Sequence, residues 1–317
     1  MRKRKLAFLV VTLILIAFIS LYFYSTRNAA SKSSNLISVY IVVTKNFGKE
    51  ILVEERVNIA LGSSALDALK MVAEVETAYG GGFVTSVNGV KSTYPKEPYD
   101  WFFYVNGFLA KEGASTYILF NNDFIQWDYH YWGDAFTLTA TLASYPNAFI
   151  NGYKGKVSPT IIAFQKEFYE EAEKIKTQLL QFNVKAETLP IEMLSKNEKS
   201  RCNIIVLSKS DAELISEINE IHEKIGLKLY FKENVLIESS KDGYKQYLNA
   251  GFIQATQNFW NPKGNMACEN IILVISGTDV ESVKKAASIL LESQNCKYSF
   301  GLIITNQEIL MIPTENS

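Results

Sequence analysis

Histidine and cysteine are scarce in this 317-residue chain, which has only two and three of them, and that scarcity removes whole classes of chemistry. A zinc site would have to gather scattered ligands, because neither Cys-x-x-Cys nor His-Glu-x-x-His occurs. No Gly-x-Ser-x-Gly is present and neither histidine has a nucleophile beside it in sequence, which leaves a catalytic triad without a starting point. Gly80-Gly81-Gly82 precedes no Lys-Ser or Lys-Thr and opens no helix, so it is not a P-loop. With no acid-base or nucleophile constellation in view, we expect no enzyme. Positive charge is short as well. Residues 1–34 hold six basic side chains and no acidic ones; beyond them stand 26 basic against 33 acidic residues, a balance of −7. A body of that sign offers no footprint for nucleic acid, whose phosphates need a clustered positive surface.

Leu6 to Tyr24 is a run of nineteen residues without a charge, with only Thr12 and Ser20 as hydroxyl side chains of low bulk within it. At ~1.5 Å per residue a helix of that length matches the hydrocarbon core of a bilayer. Arg2–Lys5 precede it and only Arg27 follows closely, so the positive-inside rule keeps the first residues in the cytoplasm and places the bulk of the chain outside. Asn28-Ala29-Ala30 offers a weak cleavage site, but the run exceeds the ~7–15 apolar residues of a signal peptide. The expectation is an uncleaved single-pass anchor in the cell membrane through residues 6–24. No cysteine near its end would take a lipid.

We divide the chain into 1–34 (basic flank, anchor and tether), 35–136, a linker at 137–156, and 157–317. Ile37–Val43 and Ile51–Val57 read as a hairpin, and Ala65, Leu66, Leu69 and Val72 share one face of a helix capped by Ser63 or Ser64. Further strands are expected at Phe83–Val87, Trp101–Val105, Thr116–Phe120 and Phe124–Tyr129. Two strands, a helix and more strands is the order of an α+β β-grasp domain. The second part alternates apolar strands (160–164, 203–207, 270–275) with helices (167–182, 211–225, 280–291), which predicts an α/β domain with a mostly parallel sheet covered on both faces. Capping boxes are expected at Ser210 with Glu213 and at Thr278 with Glu281. Cys202, Cys268 and Cys296 each precede a strand; in an oxidising exterior two of them can pair, and buried thiols fit equally well.

Aromatic residues crowd the first part: Trp101, Phe102, Phe103, Tyr104, Trp127, Tyr129, Tyr131 and Trp132 fall within 32 positions. Strand alternation puts Trp101 and Phe103 on one face and Phe102 and Tyr104 on the other. One face is core; the other exposes flat side chains suited to a planar ligand or a partner. An aromatic core with tyrosines at its rim accounts for the same composition. Asp128-Tyr-His130-Tyr-Trp-Gly133 has the Asp-x-His-x-x-Gly spacing by which corrinoid enzymes supply histidine to cobalt. It lacks the Ser-x-Leu and Gly-Gly that accompany it there and follows the wrong strands, so we take it as coincidence. His222 is read as a solvated surface residue.

Gly62-Ser-Ser-Ala-Leu-Asp-Ala-Leu-Lys70, Gly81-Gly-Phe-Val-Thr-Ser-Val-Asn-Gly89, Trp101-Phe-Phe-Tyr-Val-Asn-Gly107 and Asp123-x-x-x-Trp127-x-Tyr129 together resemble the C-terminal domain of the transcobalamin and intrinsic-factor family, across about residues 36–133. Similar single domains occur on bacterial surface proteins of unassigned function. The family's helical barrel, which forms the other half of the vitamin site, has no counterpart in this sequence. The resemblance implies a β-grasp domain whose glycine loop and following strand, Gly81, Gly82, Phe83, Val84 and Thr85, lie near a corrin, with Trp101 before the next strand. From the aromatic run, Tyr104 and Trp132 join them as ligand-binding candidates. The implied function is capture of a small molecule, a corrinoid such as cobalamin as candidate ligand, with no cofactor required and no metal site. A transporter or envelope component is the implied partner. The alternative is a structural or adhesive surface protein using the aromatic face.

Overall fold

The computed structural model describes residues 15–22, 35–133, 138–241 and 243–314. Of the apolar run at 6–24, only 15–22 fall within these; they are helical and exposed, and the rest of the expected anchor lies outside the described residues. Among the described residues no helix is long and apolar enough to cross a membrane.

The first half runs β1 (Leu36–Lys45), β2 (Glu50–Ala60), α1 (Ala65–Val72), β3 (Val75–Ala78), β4 (Phe83–Val87), β5 (Val90–Lys91), β6 (Tyr99–Val105), β7 (Phe108–Leu109) and β8 (Phe124–Tyr131). β1 is rich in β-branched residues, and it pairs antiparallel with β2 and parallel with β8. These strands form a five-stranded sheet in the order β2-β1-β8-β6-β7, and β3, β4 and β5 form a separate small sheet. Helix α1 starts at Ser64, whose Oγ accepts from the Asp67 N–H at 3.1 Å while the Asp67 carboxylate accepts from the Ser64 N–H at 2.8 Å. That capping box satisfies two orphan donors and points Ala65, Leu66, Ala68 and Leu69 into the core. Residues 116–120, expected as a strand, form only an isolated bridge at Ile118. Phe120 N–H turns instead to the Asp123 carboxylate.

The second half contains α2 (Asn147–Ile150), β9 (Thr160–Phe164), α3 (Tyr169–Gln181), β10 (Ala186–Pro190), α4 (Lys196–Arg201), β11 (Asn203–Lys209), α5 (Glu213–Glu220), β12 (Leu229–Lys232), β13 (Val235–Ser240), β14 (Gly243–Tyr247), β15 (Gly251–Gln257), β16 (Ile271–Gly277), α6 (Val280–Leu291), β17 (Gly301–Ile304) and β18 (Ile309–Met311). Its seven-stranded sheet has the order β10-β9-β11-β16-β15-β17-β18. β10, β9, β11 and β16 run parallel, as expected, but β15, β17 and β18 add antiparallel pairings, so the sheet is mixed and not mostly parallel. The fold as a whole is mixed α+β with several sheets. Both faces of the large sheet are covered. Ile205 and Leu207 face helices α3 and α6, while Ile204 and Val206 face α5 and the small sheet β12-β13-β14.

Neither expected capping box of this half forms. α5 begins after Ala212 without a side-chain cap, and α6 is capped by Asp279, which accepts from the Ser282 N–H. The three cysteines are free and buried. His222 is half-buried and stacks on Tyr230 at 3.9 Å, so it is not a solvated surface residue.

The halves pack closely. The connecting residues Leu138 to Ser144 are buried. Gln257 Nε2 donates to the carbonyls of Leu109 and Thr139, and its Oε1 accepts from the Cys268 N–H. Phe300 meets Phe47 and Tyr104 edge-on at 5.5 and 5.2 Å. Gly48, at φ +84°, lies so close to the Tyr298 carbonyl that a Cβ there would sit 1.9 Å from the oxygen, and only glycine fits.

Candidate ligand-binding surface

The glycine loop adopts left-handed backbone at Gly80 (φ +66°) and Gly81 (φ +88°). What approaches Gly81 is the protein itself: a Cβ there would stand 2.8 Å from Leu66 Cδ2 and 3.2 Å from Ser115 Cβ. Ser115 N–H donates to the Gly81 carbonyl and Ala114 N–H to that of Gly82. The loop therefore sits on helix α1 and the 113–115 turn, and the space that Gly81 vacates is filled by chain, whereas Gly80 faces open space. Within the following strand Val84 is buried, Thr85 is half-buried with its carbonyl engaged by Ser92 N–H, and Phe83 is 37% exposed.

The aromatic candidates separate by face. Trp101 is 4% exposed, donates from Nε1 to the Val90 carbonyl at 2.9 Å, and lies against Tyr129 with ring centroids 5.4 Å apart. Tyr104 points to the opposite face, buried between the halves, with its hydroxyl donating to the Leu138 carbonyl at 3.0 Å. Burial first, and then the charge of Asp128, hold its phenol well above its ordinary range. Trp132 alone among these three reaches solvent. It is 36% exposed, 5.4 Å from the ring of Tyr94, itself 62% exposed, and its Nε1 donates to Asp100 Oδ2 at 2.8 Å. Tyr99 joins this edge, in ring contact with Tyr129 and Tyr131. Exposed Phe83 and Trp132 can meet a ligand directly; Val84, Trp101 and Tyr104 shape the scaffold behind them.

The Asp-x-His spacing has a structural meaning that the reading of coincidence missed. Residues 128 and 130 of one strand share a face, and here Asp128 Oδ2 lies 2.8 Å from His130 Nδ1. Asp128 also accepts from the Thr44 hydroxyl (2.6 Å), the Phe47 N–H (3.0 Å) and the Gly48 N–H (2.9 Å). The His130 ring lies between Phe47 and Phe102, each 4.5 Å away. The alternation of β8 was the available signal. Among the described residues no group of three or more His, Cys, Asp or Glu side chains is placed to hold a metal ion. Burial pushes the Cys268 and Cys296 thiols up to about 11 and about 12, which keeps them protonated and poor as nucleophiles.

Asp123 is another buried acid of this half. It accepts from Asn106 Nδ2, the Tyr117 hydroxyl and the Phe120 N–H. Burial outweighs these bonds and raises its pKa from 3.8 to about 6. A folded-state value above the unfolded one means that the fold favours the protonated acid, so stability falls as pH rises from about 4 to about 6, by about 3 kcal/mol for this group. Denaturation midpoints measured across pH 4–7 should show that slope in the native chain and not in Asp123→Asn. Parallel profiles would refute it.

A family described as a domain of unknown function (DUF4430) matches residues 62–131. Among solved structures, haptocorrin in complex with Cbi is 19% identical over 30% of this chain and 25% of that one, at a TM-score of 0.26. A candidate metal-binding protein from Ruminococcus gnavus ATCC 29149 is 14% identical over 29% of this chain and 95% of that one, at a TM-score of 0.24. The chain thus spans a quarter of the haptocorrin chain. No curated protein matches.

Proposed function

We propose that this chain is a membrane-anchored, extracytoplasmic binding protein and not an enzyme. Its first half is a β-grasp unit that offers an aromatic edge to a soluble ligand, with a corrinoid as the candidate. The strand order supports the β-grasp reading, since a hairpin, a crossing helix and a last strand parallel to the first occur in sequence. The observation that carries the binding function is the Tyr94–Trp132 pair: two large rings exposed together, one of them held in place by a hydrogen bond to Asp100. Exposed aromatic surface that is fixed in position costs little ordering on binding and suits a flat partner. The apolar run at 6–24 would tether this surface to the outer face of the membrane, where captured ligand can pass to a transporter.

The test uses the full-length chain in a non-ionic detergent, loaded with cobalamin or cobinamide and passed through a desalting column. Retained red colour and a calorimetric heat are expected for at least one of the two. Trp132→Ala should then weaken binding by ~1–3 kcal/mol, the range for losing an aromatic contact. No colour and no heat with either compound would sink the corrinoid reading in favour of an adhesive surface protein.

A further inference from the structure

Two aspartates on one face of the five-stranded sheet differ in how well they are satisfied. Asp128, deep in the sheet, has the Thr44, Phe47, Gly48 and His130 partners described above. Asp100 stands across from His130 in the β6–β8 register and is only 7% exposed. Its Oδ2 accepts from Trp132 Nε1, while its Oδ1 is buried without a hydrogen-bond partner among the described residues. A carboxylate accepts from several donors, and leaving one oxygen dry and unpaired is costly unless something occupies it.

We infer that Asp100, with the rings of Trp132 and Tyr94 beside it, forms a subsite for the ammonium end of a small aromatic cation. The inference rests on reading the Tyr94–Trp132 edge as the binding surface, not on the ligand being a corrinoid. Three features select a cation. The orphaned oxygen accepts and cannot donate, so its partner brings an N–H or O–H. Aromatic faces present negative density, which attracts a cation and repels an anion. The local field has the same sign: after burial, the charges of Asp100 and Glu97 are among the causes that push up the Tyr129 phenol on this rim. Lys241 lies with its Nζ 5.4 Å from the Tyr131 ring centroid, which is the kind of contact a bound cation would make with the exposed rings. Trp132, joined to Asp100 by a side-chain hydrogen bond and partly exposed, presents its ring beside this carboxylate to an incoming donor.

Benzylammonium, benzyl alcohol and benzoate share a ring and differ in the charge beside it. Titrated into the full-length chain and followed by ligand-observed NMR, benzylammonium should bind about tenfold more tightly than benzyl alcohol, the step expected when a hydrogen bond gains a charge, and benzoate should not bind. Asp100→Asn keeps an acceptor for Trp132 Nε1 and removes the charge, so benzylammonium should fall to the level of the alcohol. Equal affinity for ammonium and alcohol in the native chain overturns the inference even if the variant fails to fold. So does an Asp100→Asn protein that binds the ammonium unchanged, and so does no binding of the ammonium at all. Retained corrinoid without ammonium binding rejects this subsite alone; ammonium binding without retained corrinoid rejects the corrinoid alone.

Discussion

Asp128→Ala is expected to lower the stability of the chain by roughly 3–5 kcal/mol, the cost of removing one member of a buried charged network and leaving its partners unpaired. Four donors converge on this carboxylate, two of them backbone N–H groups of the turn between β1 and β2. That turn has no easy alternative. Asn46 and Phe47 adopt left-handed backbone, and Gly48 is pressed against Tyr298 of the other half. Without Asp128 the Phe47 and Gly48 N–H groups would lose their acceptor in a dry interior, and the His130 ring would lose the bond that orients it between Phe47 and Phe102. Asp128→Asn should recover only part of the loss. Its oxygen can still serve Thr44 and Gly48, but its amide would turn a donor toward the Phe47 N–H. Chemical denaturation followed by tryptophan fluorescence checks both variants, and a loss below about 1 kcal/mol for Asp128→Ala would mean that the turn does not depend on this acid.

Much of this architecture was legible in the sequence, and the parts that were not share a physical cause. Period-two runs of β-branched residues marked β1 and β2, and a serine at 63 or 64 marked the start of α1, because those signals are local. The apolar runs at 160–164, 203–207 and 270–275 stood out for the same reason, being buried on both faces. What failed depended on neighbours. β15 carries Gln254, Thr256 and Gln257, all buried, and their hydrogen bonds explain polar side chains in the interior: Leu229 N–H donates to Gln254 Oε1, the Thr256 hydroxyl donates to the Ile225 carbonyl, and Gln257 Nε2 donates to the Leu109 and Thr139 carbonyls. Thr278 and Ser210, read as helix caps, spend their hydroxyls on Asp279 and Asn234. At the site, composition located the aromatic edge but could not rank its members, since strand alternation assigns faces and does not say which face another element covers. Phe300 and Leu138 cover the Tyr104 face; nothing among the residues near Trp132 in sequence announced that it would stay open.

Trp101→Ala should separate scaffold from surface. Its indole is buried, and its Nε1 holds the Val90 carbonyl while the neighbouring Tyr129 hydroxyl holds that of Lys91. Together these two rings fasten the β3-β4-β5 sheet to the larger one. Truncating a buried tryptophan costs roughly 3–5 kcal/mol through lost transfer energy and the cavity left behind. The effect should be concentrated in the small sheet, as faster amide exchange across residues 83–91. Trp132→Ala should do the reverse, changing stability by less than about 1 kcal/mol because its ring is partly solvated already, while abolishing much of the ligand affinity. The resemblance to the vitamin carriers implied a direct ligand contact for Trp101, and the pair of variants decides between that role and the buried one. A Trp101→Ala protein with native stability and native exchange, yet without ligand affinity, would return Trp101 to the binding surface and leave the small sheet fastened by its other contacts.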